Sequence, residues 1–371
     1  MESMSMAGDN SRVVRVLVAD DSGFMRAALT RMIESDPGLR VVGTAQTGIE
    51  ALEKIAALQP DVVTLDVEMP KLNGIETLRR IMRECPRPVI MVSSLTQEGA
   101  ETTLEALAIG AFDCLPKTIS GASHQIEKIR QELVAKLKAA GESHRVRPQA
   151  RVVRPAPSVL PVDRTEAFCP VPSIIAIGTS TGGPKALQEI LPLLPADLPV
   201  GIVIVQHMPA GFTGPFARRL DNLSKIAVRE AANNDTVEPG VIYIAPAGIH
   251  LTVHRSSVSK TSLRLSQHPP NMLHVPSVDV MMLSVAEAFR GLAMGIIMTG
   301  MGADGALGMQ AIAREGGLTV GQDERTCTVY GMPRACAELG VLKRTVPLLD
   351  IPKQILQATK YRKRSDAAAH R

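Results

Sequence analysis

A chain of 371 residues, 45 % of them hydrophobic, exceeds what one core normally holds and reads as two folded domains, or three at most. Six Phe, three Tyr and no Trp leave few platforms for stacking single-stranded nucleic acid, so aliphatic and Met side chains must fill the cores. The formal charge of +4 leaves no basic footprint for nucleic acid, because residues 136–172 and 360–371 together carry +8 and the remainder about −4.

The first elements alternate. VVRVLVAD reads as a strand, FMRAALTRMIES as a helix, LRVVGTA as a strand and GIEALEKIAAL as a helix. DVVTLDVEMP, PVIMVSS and FDCLPK continue the strands, with helices around ETLRRIMREC and TTLEALAIG between them and HQIEKIRQELVAKLKAA at the end. Five strand–helix alternations predict a parallel sheet wrapped by helices, with every strand's carboxyl end on one edge. Residues 138–172 lose this periodicity and are rich in Pro and Arg, as expected of an extended linker. A second α/β module follows from 173 to 359. Its strands are SIIAIG, PVGIVIVQH, VIYIAP and AMGIIMTG, with a hairpin in IHLTVHRSSVSKTSLRLSQ, where alternation brackets a polar turn. Residues 360–371 form a basic tail.

Cys85, Cys114, Cys169, Cys327 and Cys336 are odd in number and lack C-x-x-C spacing, so they read as reduced thiols in a cytoplasmic protein. The start MESMSMAGDN has no basic stretch followed by an apolar one, and no apolar run reaches the ~20 residues that span a bilayer. No signal peptide and no membrane insertion are expected.

Five residues at strand ends of the first module carry chemistry. Asp20 and Asp21 close the first strand, Asp66 closes VVTLD, Ser93 ends PVIMVSS and Lys117 ends FDCLPK. Three carboxylates at one sheet edge repel unless a cation neutralises them, and a hard divalent ion such as Mg²⁺ fits oxygen ligands. A hydroxyl and an ammonium beside them suit phosphoryl oxygens. This constellation resembles the receiver domain of two-component response regulators over residues 12–137. The resemblance implies a flavodoxin-like fold with Asp66 as the phosphoacceptor. It also implies Mg²⁺ held by Asp20, Asp21, Asp66 and the backbone carbonyl of Glu68, and Ser93 and Lys117 gripping the phosphoryl group. One position departs from it: Cys114 stands three residues before Lys117, where receivers often carry the aromatic ring of the switch.

In the second module, SIIAIGTSTGGPKAL breaks from a strand into a Gly-rich turn and a helix, with Ser180 at the corner and helix-start N–H groups beside it. A serine needs a base, and the base needs an orienting group. His207 follows the strand PVGIVIVQ, and Asp304 lies in MTGMGADGALGM after AMGIIMTG, so all three fall at strand carboxyl ends. GTSTGG, QHMP and TGMGADG, in that order behind a receiver, resemble the chemotaxis protein-glutamate methylesterases, which are also protein-glutamine deamidases. The resemblance implies a Rossmann-like hydrolase with an antiparallel hairpin and no cofactor in its own site. Ser180 is then the nucleophile, His207 the base and Asp304 its orienting partner, with Thr181 positioning the histidine and the Met301 N–H donating to the oxyanion. Chemoreceptor cytoplasmic helices are the implied substrate and a histidine kinase the implied phosphodonor, with the unphosphorylated receiver restricting access to the serine. Two rivals fare worse. Gly178, Gly182 and Gly183 do not form G-x-G-x-x-G and no Walker lysine follows, which argues against a nucleotide-binding module. The alternating carboxyl half holds no compact basic helix-turn-helix, which argues against a DNA-binding regulator.

Overall fold

Alternating apolar strands and amphipathic helices predict parallel sheets, and the computed structural model of the chain forms two of them. The structure describes residues 13–93, 96–117, 123–146, 170–257, 260–270 and 272–362. The chain divides into two compact units, Met1–Ser94 with Ile109–Ala150, and Leu95–Ala108 with Arg151–Arg371. Among the described residues no helix is long and apolar enough to cross a membrane.

From Val14 the chain runs β1 (Val14–Ala19), α1 (Gly23–Glu34), β2 (Leu39–Ala45), α2 (Gly48–Leu58), β3 (Val62–Asp66) and α3 (Gly74–Glu84). It continues through β4 (Val89–Ser93), α4 (Gln97–Ile109), β5 (Asp113–Pro116) and α5 (Ser123–Val146). The helix starts follow capping chemistry: Thr47 and Asn73 accept the N–H groups of Glu50 and Glu76. In α3, Ile75, Leu78 and Ile81 are buried at helical spacing. The strands pair in parallel in the order β2-β1-β3-β4-β5. The winding reverses between β1 and β3, so their carboxyl ends meet at a switch point, where α/β sheets bind ligands.

Beyond Ser173 come β6 (Ile174–Thr179), α6 (Gly183–Ile190), β7 (Gly201–Gln206), α7 (Thr213–Leu223), β8 (Ala227–Glu230) and β9 (Val241–Ile244). The hairpin β10 (His250–Ser257) and β11 (Lys260–Ser266) precedes α8 (Val278–Phe289), β12 (Ala293–Ile297) and α9 (Ala306–Arg314). Then follow β13 (Leu318–Gln322), α10 (Met332–Glu338), β14 (Arg344–Val346) and α11 (Ile351–Ala358). Seven strands pair in parallel in the order β14-β13-β12-β6-β7-β9-β8. This sheet reverses between β6 and β12. The hairpin is antiparallel, as its alternation predicts, and ties to α8 through Val253 N–H donating to Ser284 Oγ at 2.9 Å. Met281, Met282, Met309 and Met332 fill the core beside Tyr243 and Phe289, as a chain poor in aromatics requires.

The sequence pattern does not reveal β8, β13 or β14. β8 is an edge strand burying only Val228, β13 is five residues placed directly after two glycines, and β14 is three residues long. The helix α5 also runs to Val146, past the start at 138 expected for the linker. Gly141 lies against β1: a Cβ there would sit 2.7 Å from Val14 Cγ2, so only glycine lets the helix approach. Residues 147–169 of the expected linker and 363–371 of the tail lie outside the described residues.

Lys136 ties β5 to α5. Lys136 Nζ, on a side chain 12 % exposed, donates to the Cys114 carbonyl at 2.6 Å and pairs with Asp113 at 3.3 Å and Glu132 at 2.8 Å. Burial pulls its pKa down, but the charges of Asp113 and Glu132 outweigh this and hold it above the usual lysine value. Lys136→Met takes the ammonium away from the largely buried Asp113 and from the Cys114 carbonyl. The expected loss is about 3 kcal/mol, read as a roughly 100-fold drop in amide-exchange protection along β5; unchanged protection would refute this role.

Candidate functional site

The carboxyl edge of the first sheet gathers the five residues that its sequence marks. Asp20 and Asp21 follow β1, Asp66 ends β3, Ser93 ends β4 and Lys117 follows β5. Carboxylate oxygens of Asp20, Asp21 and Asp66 lie within 4.8 Å of one another. Lys117 Nζ donates to Asp66 Oδ2 at 2.5 Å and faces Asp20 Oδ2 at 3.2 Å. The Lys117 N–H donates to the carbonyl of buried Ser93 at 2.8 Å, and the Glu68 N–H donates to Asp66 Oδ1 at 3.2 Å. Burial raises the Asp66 carboxyl, Lys117 opposes it and Asp20 adds to the rise, leaving it pushed up to about 6. The Lys117 ammonium, with the Arg26 guanidinium held on the Asp20 and Asp21 carbonyls, is too little charge for three carboxylates. Asp20 Oδ2 is moreover buried without a hydrogen-bond partner. A hard divalent cation fits this donor set, with Asp20, Asp21 and Asp66 as ligands and the Glu68 carbonyl as the backbone donor available beside them. Cys114 is buried, and burial raises its thiol to about 12, so it packs as a small apolar group where the sequence lacks an aromatic ring.

At the second switch point Ser180 occupies the turn between β6 and α6. Its N–H donates to the Thr299 carbonyl at 3.0 Å, and its own carbonyl accepts from Gln206 Nε2 at 2.9 Å and the Gly183 N–H at 2.8 Å. Gly182 starts α6 at φ +78°, where a Cβ would meet Thr328 at 2.4 Å. From the β12 side, Gly300 passes so close that a Cβ would lie 2.2 Å from Met332 Sδ and 2.9 Å from Ser180 Cβ. The Gly300 carbonyl accepts the N–H groups of Gly331 and Met332, which pins the turn carrying Met301. Thr181 is buried, and its carbonyl accepts from Thr299 Oγ1 at 2.9 Å.

His207 directly follows β7 and donates its N–H to the Thr179 carbonyl at 3.2 Å. Its Nε2 lies 2.8 Å from Asp304 Oδ2, while Nδ1 is buried without a hydrogen-bond partner. Asp304 is held by more than His207. Ser277 Oγ and the Asp279 N–H donate to its Oδ1 at 2.8 and 3.0 Å, and the Val278 N–H donates to Oδ2 at 2.8 Å. These donors are the cap and first turn of α8, where the helix field favours a negative charge. Burial raises the Asp304 carboxyl, but His207 and the Asp279 and Val278 N–H groups outweigh it and hold it well below the usual carboxylate range. An ionised carboxylate only accepts, so Nε2 carries a proton, and in the neutral ring Nδ1 keeps its lone pair.

The structure therefore joins His207 to Asp304 and places Ser180 at the same sheet edge. Among the described residues no hydrogen bond joins Ser180 Oγ to His207; in ligand-free sites such bonds are often long and tighten with substrate. Sequence reading missed Ser277, His250 and His274. Ser277 N–H donates to His250 Nδ1 at 3.1 Å, and the His274 ring stacks on His207. The helix cap at Ser277 had a sequence signal, a serine before VDVMML, whereas the two histidines had none.

Residues 175–355 match the family model for CheB methylesterase and residues 16–130 that for the response regulator receiver domain. A protein-glutamate methylesterase/protein-glutamine glutaminase from Oleidesulfovibrio alaskensis is 45 % identical, over 93 % of this chain and 99 % of its own. One from Symbiobacterium thermophilum is 47 % identical, over 94 % of this chain and 97 % of its own. A crystal structure of the Thermotoga maritima CheB methylesterase catalytic domain aligns with 50 % of this chain and 98 % of its own, at 38 % identity and a TM-score of 0.49.

The lowered Asp304 carboxyl has a sign. Its contribution to stability is full above the unfolded carboxyl value of about 4 and is lost as pH falls from there through the folded value. Asp304→Asn should therefore flatten the fall in stability between about pH 4 and pH 2 relative to the parent chain. Parallel acid-unfolding curves for the two proteins would contradict the assignment.

Proposed function

This chain belongs to the CheB methylesterase family, and we propose that it is a phosphorylation-activated hydrolase. It removes γ-methyl esters from chemoreceptor glutamates and deamidates selected receptor glutamines, using Ser180, His207 and Asp304. The observation that carries the reading is the His207 ring, bound through Nε2 to an ionised Asp304 and left with a buried, unpartnered Nδ1. A base in that state, at the same sheet edge as a serine on a strand–helix turn, supports acyl transfer.

In this reading Ser180 Oγ attacks the ester carbonyl carbon while His207 Nδ1 takes its proton. The oxyanion forms beside the helix-start N–H groups and the Met301 N–H, and Thr181 steadies the histidine. His207 returns the proton to the departing methoxyl oxygen, or to the amide nitrogen of a glutamine, so that methanol or ammonia leaves. A water activated by the same histidine then frees the glutamate. The hydrolytic site needs no cofactor for these steps. In the receiver, residues 12–137, Asp66 accepts a phosphoryl group from a histidine kinase, and Ser93 and Lys117 hold its oxygens. A bound Mg²⁺ supplies the positive charge that lets Asp20, Asp21 and Asp66 ionise together. The hydrolase is assigned to residues 173–359 and the reaction to the cytoplasm.

The test is methanol release from a methylated chemoreceptor cytoplasmic fragment, with and without Mg²⁺ and acetyl phosphate. Parent chain should accelerate with the phosphodonor, and Ser180→Ala should lose more than about 10⁴-fold. Asp66→Asn should keep a basal rate that neither acetyl phosphate nor chelation of Mg²⁺ changes. Release surviving in Ser180→Ala would overturn the nucleophile, and acceleration of Asp66→Asn would overturn the phosphoacceptor.

A further inference from the structure

We infer that His274 is a positioning residue for this hydrolysis, a flat plate that holds the ring plane of His207. The inference rests on the reading of His207 as the base. The two imidazoles lie face to face, with centroids 4.1 Å apart and planes 14° from parallel.

The need for such a plate follows from how His207 is bonded. Its one hydrogen-bonded edge, Nε2 on Asp304, fixes a point of the ring but not its plane, because the terminal torsion of a histidine is broad. The opposite edge, Nδ1, has no partner to complete the restraint. The ring can therefore rock about the Nε2···Oδ2 line and swing Nδ1 away from the serine. A second ring stacked on the face of the first closes that freedom without occupying Nδ1. A hydrogen bond to Nδ1 would also hold the ring, but it would consume the lone pair that accepts the serine proton.

The plate is anchored to the group it serves. Three residues after His274, Ser277 donates its N–H to His250 Nδ1 at 3.1 Å and its Oγ to Asp304 Oδ1 at 2.8 Å. Pro276 between them is buried. The segment bearing the stacked ring and the carboxylate orienting the base are thus fastened together, so the two restraints on His207 share one support. Once His207 is protonated, its charge lies against an aromatic face rather than in open solvent. His274 is half-buried, while its neighbour Leu273 is 70 % exposed, which places the plate at the rim of the site.

The test uses the full chain activated with Mg²⁺ and acetyl phosphate, measuring kcat and KM for methanol release and the melting temperature of each variant. His274→Ala and His274→Asn should lower kcat about 10- to 100-fold with KM within about twofold, because the base is misaimed but the substrate surface remains. His274→Phe restores a planar ring and should recover to within about threefold of the parent chain. If Asn recovers activity and Phe does not, His274 acts through a hydrogen bond and the plate is wrong. If Phe is as poor as Ala, or KM carries the loss, the inference also fails. Should His274→Ala not fold, the Phe and Asn variants decide the matter between them. Ser180→Ala separates the two levels. Its inactivity beside a fully active His274→Ala removes only the role of His274, whereas an active Ser180→Ala removes the hydrolase reading itself.

Discussion

A single carboxylate at the start of a helix organises the hydrolytic half of this protein. Asp304 leaves the carboxyl end of β12 and is received by the cap and first turn of α8, with three donors from Ser277, Val278 and Asp279 at 2.8 to 3.0 Å. A buried carboxylate without such donors would hold its proton near neutral pH and could not enforce a tautomer. Held ionised, it compels Nε2 of His207 to carry the proton and leaves Nδ1 as the basic atom. The ring nitrogens are thereby assigned opposite to the familiar serine-protease arrangement, in which Nδ1 faces the aspartate. In the proposed mechanism the serine therefore meets the other side of the ring.

The two sheets apply one architectural rule to opposite electrostatic ends. Each reverses its winding next to the strand that starts it, and each gathers acids at the carboxyl ends there. In the second sheet a helix start and a histidine satisfy one acid completely, so it acts as a fixed anion. In the first, Lys117 faces Asp20 and Asp66, with Asp21 beside them, and Asp66 rises to about 6. That deficit of positive charge makes the pocket a place for a divalent ion and, under the proposed phosphorylation of Asp66, for a change of charge that the fold can sense. With Cys114 in place of an aromatic ring, β5 has no large side chain to swing at that position. It is clamped through its backbone to Lys136 of α5 instead.

What the sequence made legible follows from locality. Strand-end residues such as Asp66, Ser180 and His207 announce themselves because an apolar run stops at a polar group, and the sheet rule then carries them to one edge. The hairpin from His250 to Ser266 showed in its alternation. Edge and short strands carry little pattern, so β8, β13 and β14 did not. The linker's expected start at 138 falls short of the end of α5, because Gly141 is a contact residue whose partner, Val14, lies in the first strand. His274 was invisible for the same reason. Its stacking on His207 joins segments 67 residues apart, and no spacing rule connects a loop histidine to a strand-end one.

The central claim, that an ionised Asp304 makes Nδ1 of His207 the base, is open to direct observation by ¹⁵N NMR of histidine-labelled full chain. Comparison with a His207→Gln sample assigns the resonances. The account predicts, for neutral His207, a protonated Nε2 and a bare Nδ1. A neutral His207 with the proton on Nδ1 and a bare Nε2 would contradict it.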